Sequence, residues 1–585
     1  MNENSNINTT RHSIAHVLMQ ALERLYEATP GVGPAIEDGF YHDFKADSQI
    51  TIDNLGKIEK EMRKIIAEKL EITKTTLPIK DGIKLLEEKK YALTQELANG
   101  LKEKGELEIS FYTQGEFVNM CLGPHLGNTA QINPEAFKLT KVAGAYWKGS
   151  EKNEMLQRIY GVAFDTKEEL EEYLERLKDA EQRDHRVVAE KQDLFMISEQ
   201  VGKGLPIWLP NGAFIRKKLE EYMYNLELEN GYSYVYTPVL THKNLYEKSG
   251  HLAHYGDDMY SPMDIEGEEY YLKPMNCPHH HMIYKHKPIS YRDLPLRLAD
   301  FGLIHRFERS GVLTGLIRAR CFSQNDAHIY CQKSDLKKEM ISVLGLFKQV
   351  YSDFNIEDFW YRLSLPDFND HEKYGDIQDK EMWNEAAAEA RGALQEFGAK
   401  FVEGEGEAAF YGPKIDVQTR NVLGKEDTIA TIQVDFYSPK KFNLTFTNKN
   451  GEKEHPVIIH RAIMGSFDRF FAYLTEKTTG AFPIWLCPTQ VKIVPVGESH
   501  VNYSNELAKE LKSNNIRVAV DGSSETVGNK IRKAVNEKVP YMLVVGDKEI
   551  GSDSLVVRDR GSRDTREISQ VDFIKEIEEK VKNKE

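Results

Sequence analysis

Arg306-Phe307-Glu308-Arg309-Ser310-Gly311, resumed at Arg318-Ala319-Arg320-Cys321-Phe322-Ser323-Gln324-Asn325-Asp326-Ala327-His328, reads as two strands joined by a glycine-containing loop. Alternate strand residues share a face, so Arg318 and Arg320 are expected to meet a polyanion together, and the Arg306 guanidinium can fork onto a phosphate or a carboxylate. A solvated β-ribbon presents the same local pattern, and arginine pairs on hairpins carry no chemistry alone. The surroundings enlarge the picture. Residues 191–483 are rich in short strand-like runs broken by Gly, Pro and Asp, among them Tyr232-Ser233-Tyr234-Val235-Tyr236 and the run from Ile429 to Phe436. A large antiparallel sheet is the expected core.

Ahead of that core, residues 163–190 are densely charged, with Leu170, Tyr173, Leu174 and Leu177 at i, i+3, i+4, i+7 spacing, the narrow apolar stripe of one connecting helix. Residues 1–162 mix helical and strand patterns and open on His12-Ser13-Ile14-Ala15-His16-Val17-Leu18, so an α+β domain is expected there. After Phe482-Pro483, strand and helix alternate: Val491 to Val496, a helix around Asn505 to Lys512, Ile516 to Val520, a helix around Thr526 to Glu537, then Tyr541 to Val545. Residues 484–585 therefore read as an α/β domain, and the whole chain as α+β multidomain.

A chain of 585 residues exceeds what one hydrophobic core supports. No run of about 18 or more apolar residues occurs and Met1 to Arg11 is polar, so no membrane span or export signal is expected and a cytoplasmic location fits. The five cysteines, Cys121, Cys277, Cys321, Cys331 and Cys487, are scattered and odd in number, which argues for reduced thiols or metal ligands over a disulfide framework. A formal charge of -15 disfavours non-specific nucleic-acid binding, yet leaves room for a local basic stripe.

Cys277, His328 and His460 lie too far apart for any ribbon or finger spacing, and their default reading is a buried thiol and two satisfied histidines. His12 and His16 stand one helical turn apart, and Cys121-Leu122-Gly123-Pro124-His125 offers a second pair, so spacing alone suggests a four-ligand metal site.

As a set, these stretches resemble class II aminoacyl-tRNA synthetases, and among them the threonyl-tRNA synthetase family, over nearly the whole chain. Gly231 to Pro238 is similar to the first class II motif, Arg306 to His328 to the second, and Gly465-Ser466-Phe467-Asp468-Arg469 to the third. The resemblance implies a class II antiparallel-sheet catalytic core, an editing domain and an anticodon-binding domain. It implies a threonine–tRNA ligase that activates L-threonine with ATP, accompanied by Mg2+, and transfers it to its tRNA. Arg306 is implied to bridge the threonine carboxylate and the α-phosphate, Phe322 to stack on adenine, Glu308 to contact its amino group, Arg318 and Thr431 to line the nucleotide site, and Arg469 to hold the γ-phosphate. Lys414, in Tyr411-Gly412-Pro413-Lys414, adds a catalytic charge, and Gln324, Asp326, Tyr411, Gln433, His251 and Tyr255 surround the amino acid.

Met275-Asn276-Cys277-Pro278, Asp326-Ala327-His328 and His460-Arg461-Ala462 match the family's three ligands, implying one Zn2+ per subunit with an open position. Such a site rejects valine, which lacks the hydroxyl, but serine loses only a methyl, worth about 1–3 kcal/mol. Serine must then be removed later. In the family's editing domain His12, His16, Cys121 and His125 are implied to orient the misacylated tRNA end and a water without metal. The last domain resembles the class IIa anticodon-binding fold, which assigns Glu549 and Arg558 to anticodon bases. Lys530 and Arg532 fit a phosphate contact or a solvated helix face equally. A C2 homodimer through the first motif is expected.

The sequence departs from the family pattern at several positions. Asn119 and Leu122 stand where Asp and Arg are usual, Cys321 and Asn325 where Gly and Asp are, Asp427-Thr428 where Trp-Gln is, and Ser523 where Arg is. The chain opens almost directly on the editing helix, so the family's N-terminal ubiquitin-like domain is expected to be missing. A catalytically idle, synthetase-like RNA-binding protein would show damage at Arg306, Arg469, Lys414 or the Cys277 triad, and none is damaged. A hydrolase acting only on misacylated tRNA would leave the ATP motifs without purpose.

Overall fold

The computed structural model describes residues 3–150, 152–374 and 380–585. They form two units, Met1–Lys178 and Asp179–Glu585.

The larger unit is built on an eight-stranded sheet, in the order Ser233–Tyr234, Leu296–His305, Cys321–Cys331, Val457–Ser466, Glu426–Asp435, Lys414–Arg420, Phe359–Leu365, Phe401–Glu405. The two outermost pairings are parallel and all inner ones antiparallel. Period-two alternation sorts the inner strands into two faces. Ala327, Ile329, Ile459, Ile463, Ile432, Val434, Ile415 and Val417 point into the main hydrophobic cluster. There they meet Ile215, Leu219, Met223 and Leu226 of helix Pro210–Glu229 and Phe467, Phe470, Phe471 and Leu474 of helix Phe467–Thr478. The intervening residues, polar apart from Ala462, share the other face. Register aligns them in rows, because opposed residues of antiparallel strands project together: His328, His460, Gln433 and Lys414 form one row, and Asp326, Ala462, Thr431 and Asp416 the next.

The quoted arginine stretch differs from its prediction. The strands end at His305 and resume at Cys321, so Arg318 and Arg320 sit in the connecting loop rather than on a strand face. That loop folds on itself through a Thr314–Arg318 bridge and turns at Gly315, whose φ of +48° suits glycine. Only Arg318 reaches the cavity; Arg320 donates to the carbonyl of Glu308 at 2.9 Å and braces the loop.

The predicted connecting helix is two helices, Lys167–Arg183 and His185–Gln192. Asp184 interrupts them, accepting the Arg186 N–H at 2.8 Å and capping the second. The apolar stripe packs as expected: Leu170 and Tyr173 are buried with Val162, and Leu174 and Leu177 lie alongside.

The C-terminal part of this unit is a five-stranded sheet, Val518–Val520, Val491–Pro495, Tyr541–Val545, Ser554–Asp559, Thr565–Ser569, with its first three strands parallel. In the smaller unit, helix Glu3–Tyr26 buries Ile14, Ala15, Val17, Leu18, Ala21 and Leu22 with Phe40, Phe44 and Phe137 of an antiparallel sheet. Strands Ile72–Pro78, Glu108–Gln114 and Phe117–Met120 make a second sheet. No helix among the described residues is long and apolar enough to cross a membrane.

Candidate active site

The polar face of the large sheet carries two adjoining cavities. One is lined by Arg306, Glu308, Arg318, Phe322, Gln324, Thr431 and Arg469. The other, about 350 Å³, is lined by Tyr255, Met275, Cys277, Asp326, Tyr411, Lys414, Gln433 and His460. Arg306, Gln324, Thr431 and Ala462 line both. A ligand spanning the two must pass Arg306. Its Nε donates to the carbonyl of Pro274 at 3.3 Å, leaving the fork of its two Nη groups for a ligand, and its guanidinium lies 5.5 Å from the Phe322 ring centre. The buried Thr431 hydroxyl at the junction has no hydrogen-bond partner among the described residues, as expected of a group that bonds a ligand.

Every residue predicted for the nucleotide lines the first cavity. Glu308 also pairs with Arg318 at 3.3 Å, and Arg469 Nε donates to the carbonyl of Ile317 at 3.2 Å. Of the six residues expected around the amino acid, Tyr255, Gln324, Asp326, Tyr411 and Gln433 line the second cavity. The Tyr411 hydroxyl donates to Gln433 Oε1, and Asp326 accepts from Asn276 at 3.1 Å. His251, however, does not reach the wall: it stands behind Met275, 3.1 Å from its sulfur, and meets Ser249 Oγ at 2.6 Å. Lys414 pairs with Asp416 at 2.8 Å.

Cys277, His328 and His460 bring one ligand atom each within 4.8 Å of one another. Each histidine spends its other nitrogen on the protein: His328 Nδ1 lies 2.8 Å from His280 Nδ1, and His460 Nε2 donates to Asp435 Oδ2 at 2.9 Å. His328 Nε2 is buried without a hydrogen-bond partner among the described residues. Burial alone would lower the His460 pKa, but Cys277 and Asp435 outweigh it and hold the ring at about 10. A thiol, two oriented imidazoles, an orphaned nitrogen and a demand for positive charge fit zinc, with its preference for sulfur and nitrogen donors oriented from behind. Sequence reasoning missed His280 and Asp435. His280 lies three residues after Cys277 on helix Cys277–Lys285, and Asp435 two after Gln433 on its strand, so shared faces could have disclosed both. The fully buried pair Glu227–Arg461 was also missed; Glu227 is one of several acids on its helix and carries no distinguishing signal.

The smaller unit assembles His12, His16, Cys121 and His125 as predicted. The Cys121 sulfur is 3.3 Å from both His12 Nε2 and His125 Nε2, and Ser13 Oγ is 3.2 Å from His125 Nδ1. Gly123, at φ +74°, lets the loop pass the Tyr112 hydroxyl, where a Cβ would lie 2.1 Å away. Asn119 turns its amide oxygen onto the N–H of Met120 at 2.9 Å, and Leu122 is 88 % exposed. His42, missed in the sequence, sits buried beside the cluster.

Burial is the chief cause of depressed pKa values here, to about 3 for His125 and about 4 for His42, with His12 lowered and His16 held well below the ordinary range. These rings are neutral in the folded unit and take up protons when it unfolds. Their contribution to stability is therefore complete above pH 6.5, the unfolded value, and is lost as pH falls toward 4 and 3. Each such group costs about 1.4 kcal/mol per pH unit in that window. Pulse proteolysis in urea, reading cleavage within residues 3–178, is expected to give a clearly lower midpoint near pH 5 than near pH 7.5. Equal midpoints would contradict burial of neutral histidines.

In the C-terminal part, Glu549 Oε2 accepts the Gly546 N–H at 2.8 Å and Arg558 Nε donates to the carbonyl of Ser562 at 2.7 Å. Lys530 does not fit a solvated face or a phosphate contact. It is buried, and its Nζ donates to the carbonyl of Pro495 at 3.3 Å; Arg532 stays exposed.

Three family models match the chain: "tRNA synthetase class II core domain (G, H, P, S and T)" over residues 260–478, "Anticodon binding domain" over 490–580, and "Threonyl and Alanyl tRNA synthetase second additional domain" over 109–160. The chain is 47 % identical over 574 residues to a threonine–tRNA ligase of Geobacillus sp. (strain WCH70), covering 98 % of this chain and 88 % of the relative. It is 45 % identical over 583 residues to one of Oceanobacillus iheyensis, covering 99 % and 89 %. A crystal structure of the RNA binding domain of threonyl-tRNA synthetase from Cryptosporidium parvum Iowa II matches with a TM-score of 0.63 at 35 % identity, covering 68 % of this chain and 98 % of that one.

Proposed function

The chain belongs to the threonine–tRNA ligase family, and from that premise we propose how its residues divide the work. The reaction joins the threonine carboxylate to the α-phosphorus of ATP, expelling pyrophosphate, and then passes the threonyl group to a hydroxyl of the tRNA 3′ end, expelling AMP. The observation that carries the reading is the Arg306 junction between the two cavities. A nucleotide in the first and an amino acid in the second put carboxylate and α-phosphate on either side of that guanidinium. Negative charge that builds on the phosphoryl oxygens during attack meets a fixed fork that need not reorganise.

Phe322 offers its face to adenine, Glu308 its carboxylate to the exocyclic amine, and Arg318 and Arg469 their charge to the β- and γ-phosphates, with Mg2+. Lys414, tethered to Asp416, adds positive charge on the amino-acid side. Cys277, His328 and His460 would hold a zinc ion, which when bound would supply Lewis-acid chemistry to the amino-acid pocket. Asp326, Gln433 and Tyr411 shape the remainder of that pocket.

Hydrolysis of seryl-tRNA is assigned to the cluster of His12, His16, Cys121 and His125, whose neutral rings can accept a hydrogen bond from a water and so orient it for attack. Residues 1–162 act as editing domain, 163–190 as linker, 191–483 as catalytic domain and 484–585 as anticodon-binding domain, where Glu549 and Arg558 read bases. The enzyme works as a cytoplasmic homodimer.

The test is ATP–pyrophosphate exchange with threonine, serine and valine on zinc-replete protein, alongside deacylation of seryl-tRNA. Exchange is expected in the order threonine, serine, valine, and deacylation is expected to disappear in His125→Ala with exchange intact. Absence of exchange from folded, zinc-loaded protein would refute the catalytic assignment. Unchanged deacylation in His125→Ala would refute the editing assignment.

A further inference from the structure

We propose that His185 is a positioning residue for the nucleotide site, tying the loop that carries Arg306, Glu308 and Arg318 to the helix that carries Arg469. This rests on the nucleotide reading above but adds a residue outside both cavities and outside every motif quoted at the outset.

His185 opens helix His185–Gln192 and is 1 % exposed. Both ring nitrogens are engaged. Nδ1 lies 2.7 Å from Glu476 Oε1, and Nε2 accepts the Leu316 N–H at 3.1 Å. An imidazole serving both must be neutral with its proton on Nδ1, since Nε2 can accept only when unprotonated. Glu476 stands on helix Phe467–Thr478, seven residues and about two turns from Arg469, on the same face. Leu316 lines the nucleotide cavity together with Glu308 and Arg318.

The next residue makes the arrangement specific. The carbonyl of Ile317 accepts from Arg469 Nε at 3.2 Å. Two successive backbone groups at the loop tip, the N–H of 316 and the C=O of 317, are thus bonded from one helix, directly by Arg469 and through His185 by Glu476. If the loop tip drifts, Arg469 loses its carbonyl, and Arg318 and Glu308 lose their place opposite it.

His185 is itself immobilised. Asp184 caps its helix, Phe195 stacks on its ring at 5.9 Å, and at the far end Gln192 Nε2 donates to the carbonyl of Gly480, just past helix Phe467–Thr478, at 3.2 Å. The loop approaches so closely that a Cβ on Gly315 would sit 2.1 Å from His185 Nε2. The short helix therefore acts as a strut, held at both ends, with one side chain reaching the loop.

The experiment compares His185→Ala, His185→Gln and Glu476→Gln with the wild type. Three readouts are taken: KM and kcat for ATP and for threonine in pyrophosphate exchange, hydrogen exchange of peptides spanning residues 312–318, and thermal unfolding. Losing one buried hydrogen bond at the loop tip is expected to raise KM for ATP about tenfold in His185→Ala and to speed exchange at Leu316 by a similar factor. KM for threonine and exchange in strands Cys321–Cys331 and Val457–Ser466 should stay within about twofold. His185→Gln, which keeps an acceptor for Leu316, and Glu476→Gln, which keeps one for Nδ1–H, should recover most of the loss.

Unchanged KM for ATP and unchanged exchange at Leu316 in folded His185→Ala would overturn the proposal. So would equal losses toward both substrates with a lowered unfolding midpoint, the mark of a merely structural residue. If His185→Ala does not fold, Glu476→Ala, which removes the partner of His185 Nδ1, carries the same comparison, with Glu476→Gln as its rescue. A wild type without ATP-dependent exchange would instead refute the nucleotide reading, whereas the Leu316 exchange rate tests the tether by itself.

Discussion

Arg306→Gln is expected to lower kcat/KM for ATP–pyrophosphate exchange by about 10³-fold while leaving the fold intact. The size follows from location. Among the described residues Arg306 is the one cation that lines both cavities, and none of them substitutes for it where carboxylate meets phosphorus. Lys414 and Arg469 lie on opposite sides of that junction, each in only one of the two cavities. Glutamine reaches only as far as the arginine Nε, so its amide can still donate to the carbonyl of Pro274, but it brings neither the fork nor a charge to meet the developing oxyanion. Removing one preorganised donor of this kind costs on the order of 10²–10³ in rate, and the charge adds to that. Arg306→Lys should recover only part of the loss, because a point charge lacks the fork that spans two anions. Initial rates at several ATP and threonine concentrations, with circular dichroism to establish folding, give the answer. A loss under about tenfold would place the chemistry elsewhere in the cavity.

How much of this was legible beforehand depends on the physical range of each feature. The Lys414–Asp416 and Thr431–Gln433 pairs sit two apart on strands, and alternation alone assigns them to one face while Ile415 and Ile432 take the other. The motif resemblance located Arg306, Phe322 and Arg469 because those residues are close to others of the same motif. Arg318 and Arg320 were misjudged because strand ends are set by where cross-strand partners cease, and the bridge of Thr314 to Arg318 closes the loop on itself instead. Lys530 was misjudged for a related reason: whether a helical lysine snorkels or turns inward depends on the carbonyl that awaits it, here Pro495, thirty-five residues earlier. His185 carried no local signal at all. Its role comes from Glu476 and Leu316, which only the fold brings together.

The second large effect is expected from Cys277→Ala, which should abolish zinc retention and reduce threonine-dependent exchange by about 10³-fold or more. The sulfur is the one anionic donor of its set. Without it only the two imidazoles remain, and although Asp435 still orients His460 and His280 still orients His328, orientation does not replace a ligand. Stability should barely change, because deleting one buried sulfur opens a small void worth about 1 kcal/mol. Activity and folding are therefore separable in this variant, as they are not for a large core residue. The pattern across amino acids is the sharper result. Zinc is the element proposed to demand a hydroxyl, so its loss should pull threonine and serine down toward the level of valine instead of scaling all three alike. Metal content by atomic spectrometry, measured on the same preparations as exchange, separates the explanations. If Cys277→Ala loses zinc yet still prefers threonine over valine, the preference resides in the protein groups around the metal, Asp326, Gln433 and Tyr411. If it keeps zinc, the ligand assignment itself is wrong.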